Sequence, residues 1–276
     1  MRIGPPALRV YEQPPCPEDG YIWTPGYWAY GDDGYYWVPG VWVAPPRVGV
    51  LWTPGYWGFE TGFYRWHPGY WGPHVGFYGG INYGFGYTGV GFVGGHWMGG
   101  HFAYNTAVVR VNRTVVRNVY VDRSVIRHGG NRASFNGRGG VMARPTAREE
   151  SFGHERHFEP TGNQFSHERA AWGDRNRSAS FNHGRPNTVG TGSVNERRYN
   201  QQQRIANGVH SGQMTAGEAA RAEHHEQNIN RHVEADRSSN GGRLTPQEHR
   251  NINERQNNAS RQIHNEKHND RTQHGR

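Results

Sequence analysis

Aromatic and apolar residues recur at a fixed interval near the start of this chain. Trp23-Thr24-Pro25-Gly26-Tyr27-Trp28, Trp37-Val38-Pro39-Gly40-Val41-Trp42, Trp52-Thr53-Pro54-Gly55-Tyr56-Trp57 and Trp66-His67-Pro68-Gly69-Tyr70-Trp71 share one W-x-P-G-x-W frame, at steps of 14, 15 and 14 residues. Proline presets φ for the second position of a turn and glycine accepts the positive φ of the third. The frames therefore predict type II turns at Pro25-Gly26, Pro39-Gly40, Pro54-Gly55 and Pro68-Gly69, with the flanking tryptophans facing each other across each reversal. Type II turns twist against the tightest hairpins, which leaves bends with a bulge as the alternative to ideal hairpins at these points. Further turn formers lie between the frames: Gly31-Asp32-Asp33-Gly34, Ala44-Pro45-Pro46 and Glu60-Thr61-Gly62. With Tyr, Phe and Val around them, the pattern predicts an antiparallel meander of about eight short strands over residues 21–72, after a proline-rich segment 1–20.

Two roles are open to Trp23, Trp28, Trp37, Trp42, Trp52, Trp57, Trp66 and Trp71. Strands this short need large rings to make a core, each ring burying roughly 150–250 Å². Alternatively, one face leaves indoles exposed as a platform for sugar rings or bases.

The frames, with the flanks Val10-Tyr11-Glu12-Gln13-Pro14-Pro15-Cys16-Pro17 and Trp71-Gly72-Pro73-His74-Val75-Gly76-Phe77-Tyr78-Gly79-Gly80, resemble the bacterial WxxGxW (YxWGxW) repeat proteins over residues 8–128. The resemblance implies export to the periplasm or cell surface and no particular biochemical activity. Met1-Arg2-Ile3-Gly4-Pro5-Pro6 shows no apolar run of the kind found in a signal peptide. That is a departure from the pattern.

Beyond the frames, residues 73–104 are rich in glycine and aromatics. Ile81, Tyr83, Phe85 and Tyr87 alternate with Asn82, Gly84 and Gly86, which predicts an extended strand with rings on one face, able to pack on the repeats or to self-associate. Residues 105–128 hold three valine–arginine stretches opened by Asn105, Asn112 and Asp122 and closed by Arg110, Arg117 and Arg127, read as strands whose arginines guard an edge. Residues 129–198 combine Arg, Gly, Asn, Ser and His, as in Gly129-Gly130-Asn131-Arg132 and Gly137-Arg138-Gly139-Gly140, and are expected to be a disordered linker. In 199–276, Thr215 with Glu218 and Thr245 with Glu248 form capping boxes, Pro246 suits a first helical position, and helices are predicted near 216–235 and 246–267. Their apolar positions match pairwise: Ala222 with Ile252, Ile229 with Ala259, Val233 with Ile263. The stripe is thin, so the helices need each other or a partner.

Charge follows this division. Residues 1–104 carry a net −2, 105–200 a net +8 and 201–276 a net +2, while nine of the ten tryptophans lie in the first of these. Basic character in the middle favours polyanions, and Arg-Gly segments stack on and contact RNA. One cysteine, Cys16, excludes an internal disulfide and a cysteine-based zinc site. Asp236 to Glu248 places its glutamate at position 13 of a calcium loop that needs it at 12, and His264 with His268 lacks a third ligand. No nucleophile elbow, phosphate loop or zinc-protease helix is present. No metal or other cofactor and no enzyme activity are expected. The leading expectation is a non-enzymatic envelope or surface protein with a structural or binding role toward envelope components such as polysaccharide. The alternative is an RNA- or polyanion-associated protein acting through the arginine-rich linker.

Overall fold

The computed structural model describes residues 1–113, 115–126, 132–186, 194–240, 244–267 and 269. Contacts divide the chain into two units, residues 1–191 and 192–276. The first consists of short, mostly antiparallel strands followed by short helices, and the second is helical.

Each frame is one strand with a gap in its middle. β1 (Ile22–Thr24) and β2 (Tyr27–Gly31) flank Pro25-Gly26, and β3 (Gly34–Val38) and β4 (Val41–Val43) flank Pro39-Gly40. β2 pairs with β3 and β1 with β4, which sets Trp28 opposite Trp37 and Trp23 opposite Trp42. β5 (Leu51–Thr53), β6 (Tyr56–Glu60), β7 (Phe63–His67) and β8 (Tyr70–Gly72) repeat the plan, with Trp57 opposite Trp66 and Trp52 opposite Trp71. Two frames thus make one long hairpin, and four frames make two.

The chain reverses at Asp32-Asp33 and at Thr61-Gly62. At the second reversal φ is 49° for Thr61 and 86° for Gly62. Positive φ at both central residues belongs to the primed turn that matches strand twist. The type II turns expected at Pro25-Gly26, Pro39-Gly40, Pro54-Gly55 and Pro68-Gly69 are not formed, and none of those four glycines has positive φ. Proline has no N–H to give to a ladder, so each Pro-Gly pair opens the ladder without turning the chain.

The glycine is required for another reason. A Cβ on Gly26 would lie 2.5 Å from Cζ2 of Trp37, and one on Gly40 would lie 2.3 Å from Cζ2 of Trp23. Gly55 and Gly69 meet Trp66 and Trp52 in the same way, each at 2.5 Å. The first indole of every frame therefore lies over the glycine of the opposite frame. The four cross-strand indole pairs all have ring centroids 5.3 Å apart, tilted or edge-on.

Ring-rich segments close around the hairpins. β9 (Asn82–Gly84) and β10 (Tyr87–Thr88) form a small hairpin, so the continuous strand expected from Ile81 to Tyr87 is bent back at Phe85-Gly86, where φ is 51° and 98°. Ile81, Tyr83 and Tyr87 are still buried. Tyr87 Oη donates to the carbonyls of Trp23 at 3.2 Å and Trp52 at 3.0 Å, joining equivalent points of the two hairpins. β11 (Gly95–Met98), β12 (His101–Asn105) and β13 (Val119–Tyr120) form a sheet.

The valine–arginine stretches expected as strands are mostly turns. Val108 and Val109 donate to the Asn105 carbonyl, and Val115 and Val116 donate to that of Asn112. Asn side chains stabilise tight turns, and these turns bury Val109, Val115 and Val116 without a ladder. Arg110 pairs with Glu12, while Arg127, with Gly129, Gly130 and Asn131, lies outside the described residues.

Within the segment expected to be a disordered linker, the described residues 132–186 are folded. β14 (Phe135–Asn136) pairs in parallel with β6, and the Phe158 backbone bridges to Trp71. Helices α1 (Ala147–Phe152), α2 (Gly162–Trp172) and α3 (Ala179–Asn182) follow. Thr146 with Glu149 and Thr161 with Gln164 cap the first two as reciprocal boxes.

In the second unit, α4 (Val194–His210), α5 (Ala216–Ser239) and α6 (Pro246–Lys267) pack mutually. The capping boxes at Thr215 and Thr245 are made, and Ala222, Ile229, Val233, Ile252, Ala259 and Ile263 are buried. The helix not foreseen, α4, supplies Ile205 and the buried Arg204, whose Nη1 donates to Ser260 Oγ at 2.6 Å. Among the described residues no helix is long and apolar enough to cross a membrane.

Candidate functional site

The indoles are core. Trp23, Trp37 and Trp71 are 0% exposed, Trp28, Trp42, Trp52 and Trp57 are buried, and Trp66 is half-buried. Three of them place their N–H groups on backbone carbonyls inside the unit: Trp28 on that of Ala7, Trp42 on that of Pro14, and Trp57 on that of Trp28 at 2.7 Å. An exposed indole platform is therefore not what the repeats build.

They build a cleft instead. Because each Pro-Gly pair interrupts pairing, it leaves a notch in its hairpin. The notches of the two hairpins meet around a cavity of about 170 Å³ into which Pro25, Pro39, Pro54 and Pro68 all project, with Gly55 and Gly69 beside them. Tyrosines take up two of the backbone polar groups freed by the gaps: Gly26 N–H donates to Tyr11 Oη at 2.9 Å, and Tyr83 Oη donates to the Gly55 carbonyl at 2.7 Å. Tyr83 and Trp52 form part of the wall, and Tyr27 stacks on Trp66 with centroids 5.2 Å apart and planes 18° from parallel.

Helix α2 supplies the polar side. Gln164, at the third position of its capping box, accepts from Thr161 N–H at 2.9 Å and from Trp71 Nε1 at 2.8 Å, which ties the helix start to the second hairpin. One turn on, His167 is buried and its Nε2 donates to the Pro39 carbonyl at 2.8 Å, tying the helix to the first. Glu168 follows, half-buried, with Oε1 accepting from Tyr36 Oη at 3.3 Å. Burial raises the Tyr27 and Tyr36 hydroxyls above their ordinary range, and the Glu168 carboxylate adds to the shift. Both phenols stay protonated at neutral pH and face Glu168 as neutral donors. Phe165 is exposed at the mouth.

Of the residues singled out in the sequence, the four prolines line the cleft, together with Gly55, Gly69, Trp52 and Trp66, while Gly26, Gly40, Trp23, Trp28, Trp37, Trp42, Trp57 and Trp71 stand behind its wall. Sequence reasoning missed Gln164, Phe165, His167 and Glu168. Their one local signal is the Thr161–Gln164 capping box, set in a composition that reads as linker.

Cys16 is buried and donates to the Glu18 carbonyl. Among the described residues no group of three or more His, Cys, Asp or Glu is placed to hold a metal ion. His268, the second member of the histidine pair in the sequence, lies outside the described residues.

A family model described as the WXXGXW repeat matches this chain in two copies, residues 19–43 and 47–71. Each copy spans one hairpin, which makes the repeat a pair of frames. No curated protein and no solved structure matches the chain.

Proposed function

We propose that this chain with two WXXGXW repeats is a non-enzymatic protein of the cell envelope or surface, whose repeat pair forms a rigid body and whose proline-lined cleft binds sugar rings of an envelope polysaccharide. The cleft carries the reading. A pyranose presents C–H faces that pack on aromatic and proline rings, and hydroxyls that need a few fixed polar partners. Tyr27 and Trp66 offer ring faces, and Gln164 and Glu168 stand beside them. Envelope placement rests on the likeness of the frames and their flanks to exported repeat proteins. The non-enzymatic reading is supported by the chemistry of the wall, where Glu168 is the one carboxylate among the described lining residues and His167 is committed to a backbone carbonyl. Acid–base hydrolysis of a glycosidic bond ordinarily uses a pair of carboxylates.

Retention of the full chain on insoluble glycans and peptidoglycan tests this. The chain should be retained by at least one of them, and Phe165→Ala and Tyr27→Leu should weaken retention by about tenfold, as loss of one ring contact does. Equal retention of all three proteins would remove the cleft from the account, and retention of none would remove the glycan.

A further inference from the structure

The walls of the cleft are electron-rich. Tyr27 and Trp66 present stacked rings, Trp52 and Tyr83 add two more, and the nearest fixed charge is the Glu168 carboxylate. No lysine or arginine is among the described lining residues. Arg169, next along α2, is exposed and does not line the cavity. The Tyr36 hydroxyl donates to one carboxylate oxygen, and the Tyr27 hydroxyl donates to the carboxylate as well. The remaining acceptor capacity of Glu168 has no cation among the ion pairs found in the described residues. Aromatic faces attract cations through their quadrupole, and a carboxylate at the edge of such a site raises that preference further. His167 places its Nε2–H on the Pro39 carbonyl and not on Glu168.

We infer that the sugar taken by this cleft is an amino sugar with a free ammonium, as in a de-N-acetylated polysaccharide, its ring against Tyr27 and Trp66 and its nitrogen at Glu168. The inference rests on the glycan reading of the cleft and narrows it. An N-acetylated unit would bring an uncharged amide to the carboxylate, and a neutral glucan only a hydroxyl. A charge-assisted contact is stronger than either of these by an amount that corresponds to about tenfold in affinity.

Isothermal titration of the full chain with tetramers of glucosamine, N-acetylglucosamine and glucose decides the matter. The glucosamine tetramer should bind about tenfold more tightly than the other two, and added salt should weaken it alone. Glu168→Gln, which keeps the side-chain size and an oxygen able to accept from Tyr36 Oη, should keep the melting temperature and bring the glucosamine tetramer down to the level of the glucose tetramer. Should that variant melt early, the salt series on the unaltered chain still decides. Equal affinity for all three tetramers overturns the ammonium while leaving a glycan site. Binding of none overturns both readings. Preference for the glucosamine tetramer that survives Glu168→Gln in a folded protein overturns the assignment to this cleft.

Discussion

The strand unit and the helical unit solve one problem, too little aliphatic material, in opposite ways. In residues 1–191 indoles and phenols make up the larger part of the core and the indoles interlock with glycines, and the hydroxyls of Tyr11, Tyr83 and Tyr87 satisfy the backbone where the ladders break. Residues 192–276 pack a few small aliphatic side chains and accept buried polar groups between them. Arg204 reaches Ser260, and Gln201 Nε2 donates to the Gln256 carbonyl at 2.6 Å. Ring burial scales with area and is insensitive to pH, whereas polar networks and caps contribute only while their partners keep the right charge. One unit should fail by losing shape, the other by taking up protons and losing hydrogen bonds.

The sharpest break is Trp23→Ala. It empties a fully buried site that touches Trp42, Phe85 and the Gly40 gap, and it should cost about 3–5 kcal/mol. Near-UV dichroism during thermal melting reads this directly. A shift no larger than that of a surface variant would mean the rings do not support the unit. Next comes Gly40→Ala, at about 1–3 kcal/mol from overpacking against Trp23. Gly49→Ala is its control: φ is 91° but nothing lies within 4 Å of the added carbon, so only the backbone strain of about 1 kcal/mol is expected. Should the two cost the same, the indole-over-glycine fit is not what demands glycine.

In the helical unit, Glu218 is held down from its ordinary 4.5 to about 2 by the Thr215 backbone N–H, the Thr215 hydroxyl and the Asn269 amide. A carboxyl with a lowered folded-state pKa adds stability above its unfolded value, and that stability fades as pH falls from about 4.5 toward about 2. Helix dichroism titrated through this window should decline. Thr215→Ala should remove about 1 kcal/mol at neutral pH and make the acid decline shallower. An unchanged acid profile would assign the loss to other groups. The smallest effect concerns Cys16, whose thiol burial pushes up to about 12. It should react with thiol reagents at mild alkaline pH only as fast as the strand unit opens, and rapid labelling of folded protein would contradict its placement.

Much of this was legible in the residues, though unevenly. The frame, the short antiparallel strands and helices α5 and α6 follow from spacing and capping. The pairing of frames does not, because W-x-P-G-x-W looks alike whether it turns or runs straight. What separates the two is contact between Trp23 and Gly40, residues 17 positions apart. Four Thr-x-x-Glu/Gln boxes stand in the chain, at Thr146, Thr161, Thr215 and Thr245. The later two mark helix starts because matching apolar positions follow, whereas the earlier two sit among Arg, Gly and Asn, where composition argues for disorder. Helix α4 has a glutamine-rich sequence whose buried face is half polar, so no apolar stripe marks it. The polar wall of the cleft went unseen for the same reason as α2.

The reciprocal cover of indole and glycine also sets how such chains can grow. A lone frame would leave its glycine bare and its leading tryptophan with nothing to lie over, so frames should be gained or trimmed two at a time, in multiples of the 29 residues that separate Trp23 from Trp52. An array lengthened by one frame would carry a misfit at its end, and one lengthened by a whole hairpin would add a further notch and, with it, room for another guest.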